Sequence, residues 1–234
     1  MRQLSLHFAS LAVLSLIVNA AWAQAPKPRT HPTGFEFGGT PEFDSPPVPK
    51  NDKEKQAYAA LGEMATGKWY LNITTREGRV LRQLAETTGA KRIVEIGTSS
   101  GYSTIWLALA ARANGGHVFT HEIDPEKVKL ATANFKKAGV DDLVTIIEGD
   151  AHVTIKQHKD PIDVLFLDAE KQGYLDYLNQ LLPVIRPGGM ILGHDMHRPM
   201  PDPRYIEAVT KSPDLDTSFI MMESYGISFT VKKR

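Results

Sequence analysis

The sequence predicts an α/β fold in which a doubly wound, mostly parallel seven-stranded sheet ends in an antiparallel C-terminal hairpin. Two observations lead to this prediction. Short apolar runs alternate with runs of helical periodicity through the middle of the chain, a pattern typical of parallel strands covered by helices on both faces. Near the C-terminus, two β-rich runs follow one another across a short polar link, which predicts a hairpin.

The predicted strands are runs rich in Val, Ile, Leu and Phe that are too short to be helices. The first five are parallel and the last two form the hairpin through Ser224-Tyr225-Gly226. They are Arg92–Ile96, His117–Glu122, Val144–Glu148, Val164–Asp168, Met190–Gly193, Ser218–Met222 and Ile227–Lys232.

Helices are predicted where apolar residues recur at spacings of three and four. The clearest has Asp124 as its N-cap, Pro125 in its first turn and Gly139 directly after its last residue. The predicted helices start near Asp52 and then cover Arg76–Glu86, Tyr102–Arg112, Pro125–Ala138, Ala151–Gln157 and Tyr174–Ile185.

The N-terminal residues are predicted to be a targeting segment and a tether. Arg2 precedes an apolar run, and Ala21-Trp22-Ala23 has the small-x-small pattern of a signal-peptidase site. The alternative, a membrane anchor, is disfavoured because the run is well short of the ~20 residues that a spanning helix needs. We expect residues 1–23 to be a cleaved signal peptide, residues 24–50 a Pro-rich tether and residues 51–234 the folded domain, exported to a periplasm or secreted.

The charge balance argues for small, roughly neutral partners. Lysine plus arginine equals aspartate plus glutamate, 27 each, so no basic surplus points to nucleic acid or to an anionic membrane surface. After processing we expect no membrane span, and a homodimer remains open. The chain has no cysteine, so its stability does not depend on disulfides.

A glycine loop after the first strand is the strongest local signal. Gly97 and Gly101 allow a tight turn and a close approach to a ligand, and a helix begins just beyond them. We therefore predict that Gly97, Thr98, Ser99 and Gly101 bind a cofactor. Their G-x-x-x-G spacing differs from the G-x-G-x-x-G of dinucleotide-binding proteins.

Two acids follow the next strands. Glu122 ends the second strand, where an acid can accept hydrogen bonds from both ribose hydroxyls; alternatively it is a solvated charge. Asp150 follows the third strand and is predicted either to edge an adenine ring or to cap the next helix, two roles that are compatible.

Polar residues converge where the fourth and fifth strands end. Asp168 emerges from a buried apolar strand, with Lys171 three residues later, and Asp195 follows the fifth strand between His194 and His197. Ligands of open α/β sheets bind at this edge, so a functional site is favoured over a set of unrelated surface residues.

Taken in order, these motifs resemble the class I O-methyltransferases of the caffeoyl-CoA and catechol O-methyltransferase family. The resemblance covers roughly Leu71 to Arg234. It rests on Asn72-Ile73 with Glu77-Gly78, V-E-I-G-T-S-S-G-Y-S, H-E-I-D, K-K-A-G-V, E-G-D-A, F-L-D-A-E-K-Q-G-Y, R-P-G-G and Y-G-I-S-F.

The resemblance implies a Rossmann-like domain, S-adenosylmethionine as cofactor and a role for each matching position. Asp168 and Asp195 match metal-binding acids, Lys171 matches the proposed general base, and Glu170 matches a position near the cofactor. The implied cofactor contacts are Ile73, Glu95, Gly97, Ser103, Glu122 and Ala151.

One departure puts the metal in doubt. The family usually places asparagine after the second acid, whereas this chain has Met196, and a thioether is a poor ligand for Mg²⁺. His197 lies two residues from Asp195, so in extended chain both would face the site and an imidazole would favour Mn, Fe or Zn. Between that repair and loss of the metal, we favour loss of the usual Mg²⁺ site.

The function predicted from these observations is S-adenosylmethionine-dependent methylation of a small phenolic or catechol-like hydroxyl, with Asp168 and Lys171 as catalytic residues. Two alternatives are kept. One is an exported noncatalytic protein that binds S-adenosylmethionine or another small molecule. The other is an NAD-dependent oxidoreductase, which the missing G-x-G-x-x-G disfavours.

Overall fold

A computed structural model describes residues 47–68, 70–197, 199–220 and 226–234. Within these residues, seven strands form one sheet. The strands are β1 Arg92–Ile96, β2 His117–Glu122, β3 Val144–Glu148, β4 Ile162–Leu167, β5 Ile185–His194, β6 Leu215–Ile220 and β7 Ile227–Lys232.

The sheet confirms the predicted fold class. Its strand order is β3-β2-β1-β4-β5-β7-β6. The first five strands pair in parallel, whereas β7 pairs antiparallel with both β5 and β6. The order reverses between β1 and β4, so the carboxyl ends of these neighbouring strands open a crevice at one edge of the sheet.

Helices cover both faces of the sheet. The helix that begins at Pro125 is confirmed with its Asp124 cap and with Gly139 in the left-handed conformation at its end. The helices are α1 Asp52–Thr66, α2 Thr75–Thr87, α3 Tyr102–Asn114, α4 Pro125–Ala138, α5 Ala151–Thr154, α6 Tyr174–Leu181 and α7 Pro203–Lys211.

Helix α7 was not predicted from the sequence. The Asp202 side chain caps it by accepting a bond from the Arg204 N–H at 2.8 Å, Pro203 occupies its first turn, and Tyr205 and Val209 bury one face at a spacing of four. These start signals were present in the sequence. Only nine residues long, α7 carries too few repeats for periodicity to stand out.

Other predicted bounds needed smaller corrections. The helices predicted over residues 151–157 and 174–185 tighten into 3₁₀ turns at Ile155–Gln157 and Leu182–Val184, as helix ends often do. Strand β5 starts five residues earlier than predicted, at Ile185, which pairs with Ile162 of β4. Strand β6 starts at Leu215, and the last two predicted residues of this strand, 221 and 222, lie outside the described residues.

Two apolar clusters, one on each face, hold the sheet between its helices. Alternate residues of β4 divide between them: Val164 and Phe166 pack with α1 to α4, whereas Leu165 and Leu167 pack with α6 and α7. A strand buried on both faces reads as an unbroken apolar run. This arrangement explains why Asp168, directly after that run, marks the end of the strand.

Parts of the predicted organisation fall outside the described residues. They include the signal peptide at 1–23, the tether as far as residue 46, and Ser224-Tyr225 of the hairpin link. None of the helices within the described ranges is long and apolar enough to cross a membrane.

A buried pair of histidines lies between β2 and the segment after α5. His121 and His158 are 1% and 3% exposed, and their Nε2 atoms are 2.8 Å apart. The Thr154 hydroxyl is 2.7 Å from Nδ1 of His121. Burial, together with the neighbouring His158, lowers the pKa of His121 to about 3. Burial, together with Arg92, lowers the pKa of His158 to about 4.

This pair should make the free energy of unfolding fall as the pH drops from 7 to 5. Over that range the unfolded chain takes up about 1.5 protons on these two residues, near pH 6.5, that the folded chain does not bind, so the pair's contribution to stability falls by roughly 2–4 kcal/mol. Urea unfolding at both pH values measures the fall. The double variant His121→Gln, His158→Gln serves as the control and should show a shallower dependence. Equal dependences in the two proteins would assign the pH effect to other groups.

Candidate active site

The candidate site lies in the crevice where β2, β1, β4 and β5 end side by side. Glu122 is the last residue of β2, and Asp168 and Asp195 directly follow β4 and β5. The backbone N–H of Asp168 also donates to the Ile96 carbonyl at the end of β1. Parallel pairing thus brings together acids that are far apart in the sequence.

The glycine loop after β1 is held close to β4. Gly97 has a φ of +103°, and a Cβ built there would lie 2.3 Å from the Asp168 carbonyl oxygen. The N–H groups of Gly97 and Thr98 both donate to the His121 carbonyl. Gly101, also at positive φ, caps α3 at its N-terminus. The loop therefore needs glycine for both its conformation and its contacts, as the sequence predicted.

A segment before α2 covers this loop. The Ser99 hydroxyl donates to the Tyr70 carbonyl at 3.0 Å, and the Ser100 hydroxyl donates to the Asn72 side-chain oxygen at 2.6 Å. Leu71, which lies between Tyr70 and Asn72, has an exposed side chain and a φ of +60°. Ile73, an expected cofactor contact, has its side chain in the main apolar cluster.

Glu122 is tied into the backbone of the site. Its carboxylate accepts from the Ser99 N–H at 2.7 Å and from the Ile123 and Asp124 N–H groups at 3.0 Å each. Only 6% of the residue is exposed. The alternative of a solvated surface acid is therefore wrong, and Glu122 holds the glycine loop against β2.

Replacing Glu122 with alanine should weaken cofactor binding by about 1–3 kcal/mol, because both the acceptor and the anchor of the Ser99 N–H are lost. Calorimetric titration with S-adenosylmethionine measures the effect, and thermal unfolding monitors the fold. The matched control is Glu148→Ala, since Glu148 pairs with Glu122 in register on β3 but is exposed. Equal affinities in the two variants would deny Glu122 a role in binding.

Two other predicted cofactor residues support the loop from beneath. Glu95 is fully buried and accepts from the hydroxyls of Ser103, Thr104 and Thr120 at 2.5, 2.5 and 2.7 Å. Burial raises the pKa of Glu95 to about 7, against the opposing effect of these hydroxyl donors. Glu95 and Ser103 thus bond to each other and join β1, α3 and β2 under the glycine loop.

The outer part of the site surrounds the start of α5. Asp150 is confirmed as the cap of α5, accepting from the His152 N–H at 2.9 Å, and Ala151 is the first helical residue. Glu170 accepts from the Tyr177 hydroxyl and lies 3.2 Å from Nε2 of His152. These residues form one polar wall of the crevice.

Apolar groups beside this wall were not predicted from the sequence. Ile123, next to Glu122, is 66% exposed, and Val153 in α5 is 62% exposed. Large exposed apolar side chains at a ligand edge offer a surface to a flat ring. The signal that could have found them was the isoleucine directly after the acid at the end of β2.

Lys171 joins the two acids that follow β4 and β5. Its Nζ is 3.3 Å from Asp168 Oδ1 and 2.7 Å from Asp195 Oδ2. It also donates to the Ala169 carbonyl and to the Tyr174 hydroxyl oxygen, each at 2.9 Å, while that hydroxyl donates to the Leu167 carbonyl. Each of these described neighbours offers an oxygen that can accept a hydrogen bond from Nζ.

His194, rather than His197, lies with the acids. Its Nδ1 is 3.0 Å from Asp168 Oδ1 and 3.3 Å from Asp195 Oδ1, and its Nε2 is 3.2 Å from Glu77 Oε1. Burial lowers the pKa of His194, but Asp168, Glu77 and Asp195 outweigh it and raise the pKa to about 10. For Asp168, burial raises the pKa, but the charges of His194 and Lys171 outweigh this effect. The pKa of Asp168 therefore lies below its ordinary value.

The backbone at Asp195 differs from the extended chain on which the prediction of His197 depended. Alternate residues face one side only in extended chain, whereas Asp195 has a φ of +61°. Consecutive residues His194 and Asp195 therefore both face Asp168, Met196 turns into the apolar cluster, and His197 is exposed.

The side chains present do not fit the magnesium site that the resemblance implies. Ligand atoms of Asp168, His194 and Asp195 lie within 4.8 Å of one another, a spacing that a metal ion would accept. However, both imidazole nitrogens of His194 face carboxylates and Lys171 Nζ lies between the two acids, so these side chains already make the contacts that an ion would need. No oxygen ligand comes from Met196, which is buried among apolar side chains.

Comparison with known proteins places the chain among methyltransferases. The O-methyltransferase family model matches residues 53–196. A catechol O-methyltransferase from Niastella koreensis is 35% identical over 145 residues, 60% of this chain and 65% of its own length. A caffeoyl-CoA O-methyltransferase from Medicago sativa is 36% identical over 152 residues, 61% of this chain and 60% of its own length. The alignments thus span less than two thirds of these relatives.

Solved structures agree over more of the chain. The O-methyltransferase from Bacillus cereus, solved in complex with SAH, is 28% identical with a TM-score of 0.66. The match covers 80% of this chain and 93% of that one. The shared fold therefore extends over most of both chains.

Proposed function

The chain belongs to the O-methyltransferase family, and on that premise we propose that it transfers the methyl group of S-adenosylmethionine to a hydroxyl of a small phenolic or catechol-like molecule. One observation carries the proposal. The glycine loop, Glu122 and the group formed by Asp168, Lys171 and Asp195 meet at one edge of the sheet. A cofactor site and a proton-handling site therefore adjoin.

Three features of the crevice support the cofactor. Glu122 offers carboxylate oxygens suited to ribose hydroxyls, and the exposed side chain of Ile123 offers an apolar surface to an adenine ring. The Bacillus cereus relative holds SAH, the demethylated form of this cofactor, on the same fold. When bound, S-adenosylmethionine supplies an electrophilic methyl group on a cationic sulfur.

Lys171 and Asp195 are proposed to handle the substrate proton. Lys171 Nζ lies 2.7 Å from Asp195 Oδ2, so the ammonium can pass one proton to the carboxylate. The resulting amine then takes the hydroxyl proton, and the anionic oxygen becomes the nucleophile. The net result is one proton moved from the substrate to Asp195, with Lys171 charged again. Asp168, which also contacts Lys171, holds the amine in position.

The substrate class rests on these groups and on the relatives. The relatives named for catechol and for caffeoyl-CoA match this chain at similar identity. Catechol and the caffeoyl group both bear phenolic hydroxyls. A phenolic oxygen loses its proton more readily than an alkyl alcohol, which suits a site without a metal to acidify the hydroxyl.

Activity should survive exhaustive chelation, because Lys171 and His194 already supply positive charge beside Asp168 and Asp195. The measurement is the rate of methyl transfer to a catechol panel before and after EDTA treatment, followed by addition of Mg²⁺. Activity that vanishes with the chelator and returns only with Mg²⁺ would contradict the metal-free site.

The same assays separate the alternatives. A noncatalytic binder, suggested by the predicted export away from the cytosol, would bind S-adenosylmethionine without methylating any catechol of the panel. An oxidoreductase would prefer NAD in an equilibrium binding comparison. Export itself is part of the proposal and rests on the signal-peptide pattern of residues 1–23; the mass of the mature chain from its native host tests it.

A further inference from the structure

His194 connects two parts of the crevice that the chain brings together from distant positions. On one side its Nδ1 faces Asp168 and Asp195, and on the other its Nε2 faces Glu77 of α2. Glu77 is fully buried and His194 is 5% exposed. Each ring nitrogen therefore has a carboxylate oxygen within 3.3 Å, and the ring fills the space between the three acids.

Lys171 and His194 make the contacts to the acids that a metal ion would otherwise make. Among the described residues, nitrogen atoms of these two side chains lie within 3.3 Å of carboxylate oxygens of Glu77, Asp168 and Asp195. A divalent ion between Asp168 and Asp195 would have to displace both side chains from their partners.

Glu77 is itself fixed by the start of α2. Its Oε2 accepts from the Thr74 N–H at 2.8 Å and from the Thr74 hydroxyl at 3.0 Å, while the Thr74 side chain accepts from the Glu77 N–H. This reciprocal capping box leaves Glu77 one orientation, with Oε1 directed to His194. The segment directly before this helix covers the glycine loop, because Asn72 accepts a hydrogen bond from the Ser100 hydroxyl.

We propose that His194 is a positioning residue that holds Asp168 and Asp195 in the place of a divalent cation, with Glu77 fixing its orientation. The role of the group in methyl transfer rests on the proposed function, but the exclusion of metal by His194 does not. The imidazole ring performs one task of a bound metal, because it keeps the two acids at a fixed separation. It leaves proton transfer to Lys171.

Binding of Mn²⁺ to the full chain, followed by the loss of free-ion signal in electron paramagnetic resonance, tests this inference. Wild type should bind Mn²⁺ weakly. His194→Asn removes the ring that lies between the acids, and His194→Asp places a third carboxylate there, so each should bind Mn²⁺ about 10–100-fold more tightly. The control is His117→Asn, at the opposite end of β2 beside Thr145, which should behave as wild type.

The variants also separate positioning from a merely structural role. In His194→Asn the rate of methyl transfer should fall, and Mn²⁺ should restore part of it without changing the affinity for S-adenosylmethionine. Tight binding of Mn²⁺ by wild type would overturn the inference, and that titration needs no variant to fold. Unchanged Mn²⁺ affinity in both His194 variants would overturn it as well. A wild type that binds no Mn²⁺ and methylates nothing would contradict the proposed function and leave metal exclusion supported.

Discussion

Replacing Lys171 with methionine is expected to lower turnover by about 10²–10⁴-fold, the usual contribution of a positioned general base. Methionine is similar in length and apolar, so it removes the amine while keeping most of the side-chain volume. The loss should be larger than in an enzyme whose metal acidifies the substrate hydroxyl, because in this site Lys171 supplies both a cation and a base. Affinity for S-adenosylmethionine should fall far less than turnover, because the described contacts of Lys171 are with the two acids and not with the glycine loop.

Single-turnover rates and calorimetric cofactor titrations together measure this effect. Lys171→Arg is the matched control, since it keeps a cation near Asp168 and Asp195 but cannot lose a proton near neutral pH. We expect arginine to preserve the fold and the cofactor affinity and still to lower turnover strongly. If the arginine variant keeps nearly full turnover, Lys171 acts only through its charge and the proton relay to Asp195 is wrong.

Local chemistry allowed most of the sheet to be predicted. The first three strands begin and end at the predicted residues, because each is a short apolar run with polar or glycine residues at its ends. Helix α4 was equally clear, since Asp124, Pro125 and Gly139 mark its bounds through capping and backbone conformation. Helix α7 has similar start signals, but it is only nine residues long, so its periodicity was too short to predict the helix.

The site was predictable where it depends on strand ends. Parallel strands present their carboxyl ends at one edge, so Glu122, Asp168 and Asp195 could be grouped from the amino-acid sequence alone. The role of Glu95 could not be predicted in this way, because its burial under the loop depends on the packing of α3 over β1. Its three hydroxyl partners come from two other elements.

The histidine beside the acids depended on a single backbone angle. An extended chain through Asp195 would have brought His197 to the site, whereas the left-handed conformation there directs His194 inward and Met196 into the core. The partner of His194 is Glu77, 117 residues away in the sequence. Nothing in the spacing of these residues predicts that contact; it follows from the fold, which brings the start of α2 close to the end of β5.

Replacing Gly97 with alanine is expected to destabilise the fold by roughly 3 kcal/mol or more and to abolish measurable cofactor binding. Two costs combine at this position. A φ of +103° is strained for any residue with a Cβ, and the new Cβ would lie 2.3 Å from the Asp168 carbonyl oxygen. Both atoms in that clash are fixed by the backbone, so relief requires the loop to move away from β4. Such a movement would shift the N–H groups of the loop and the side chain of Asp168 together.

Gly89→Ala separates the two costs. Gly89 also has a positive φ, +66°, but a Cβ built there meets nothing within 4 Å. Its replacement should therefore show the conformational cost alone, about 1–2 kcal/mol, with cofactor affinity unchanged. Urea unfolding of both variants, with calorimetric titration of S-adenosylmethionine, makes the comparison. Equal destabilisation by the two substitutions, with cofactor binding intact in Gly97→Ala, would show that the loop can move away from Asp168 freely. In that case the close contact between β1 and β4 would not be what shapes the cofactor site.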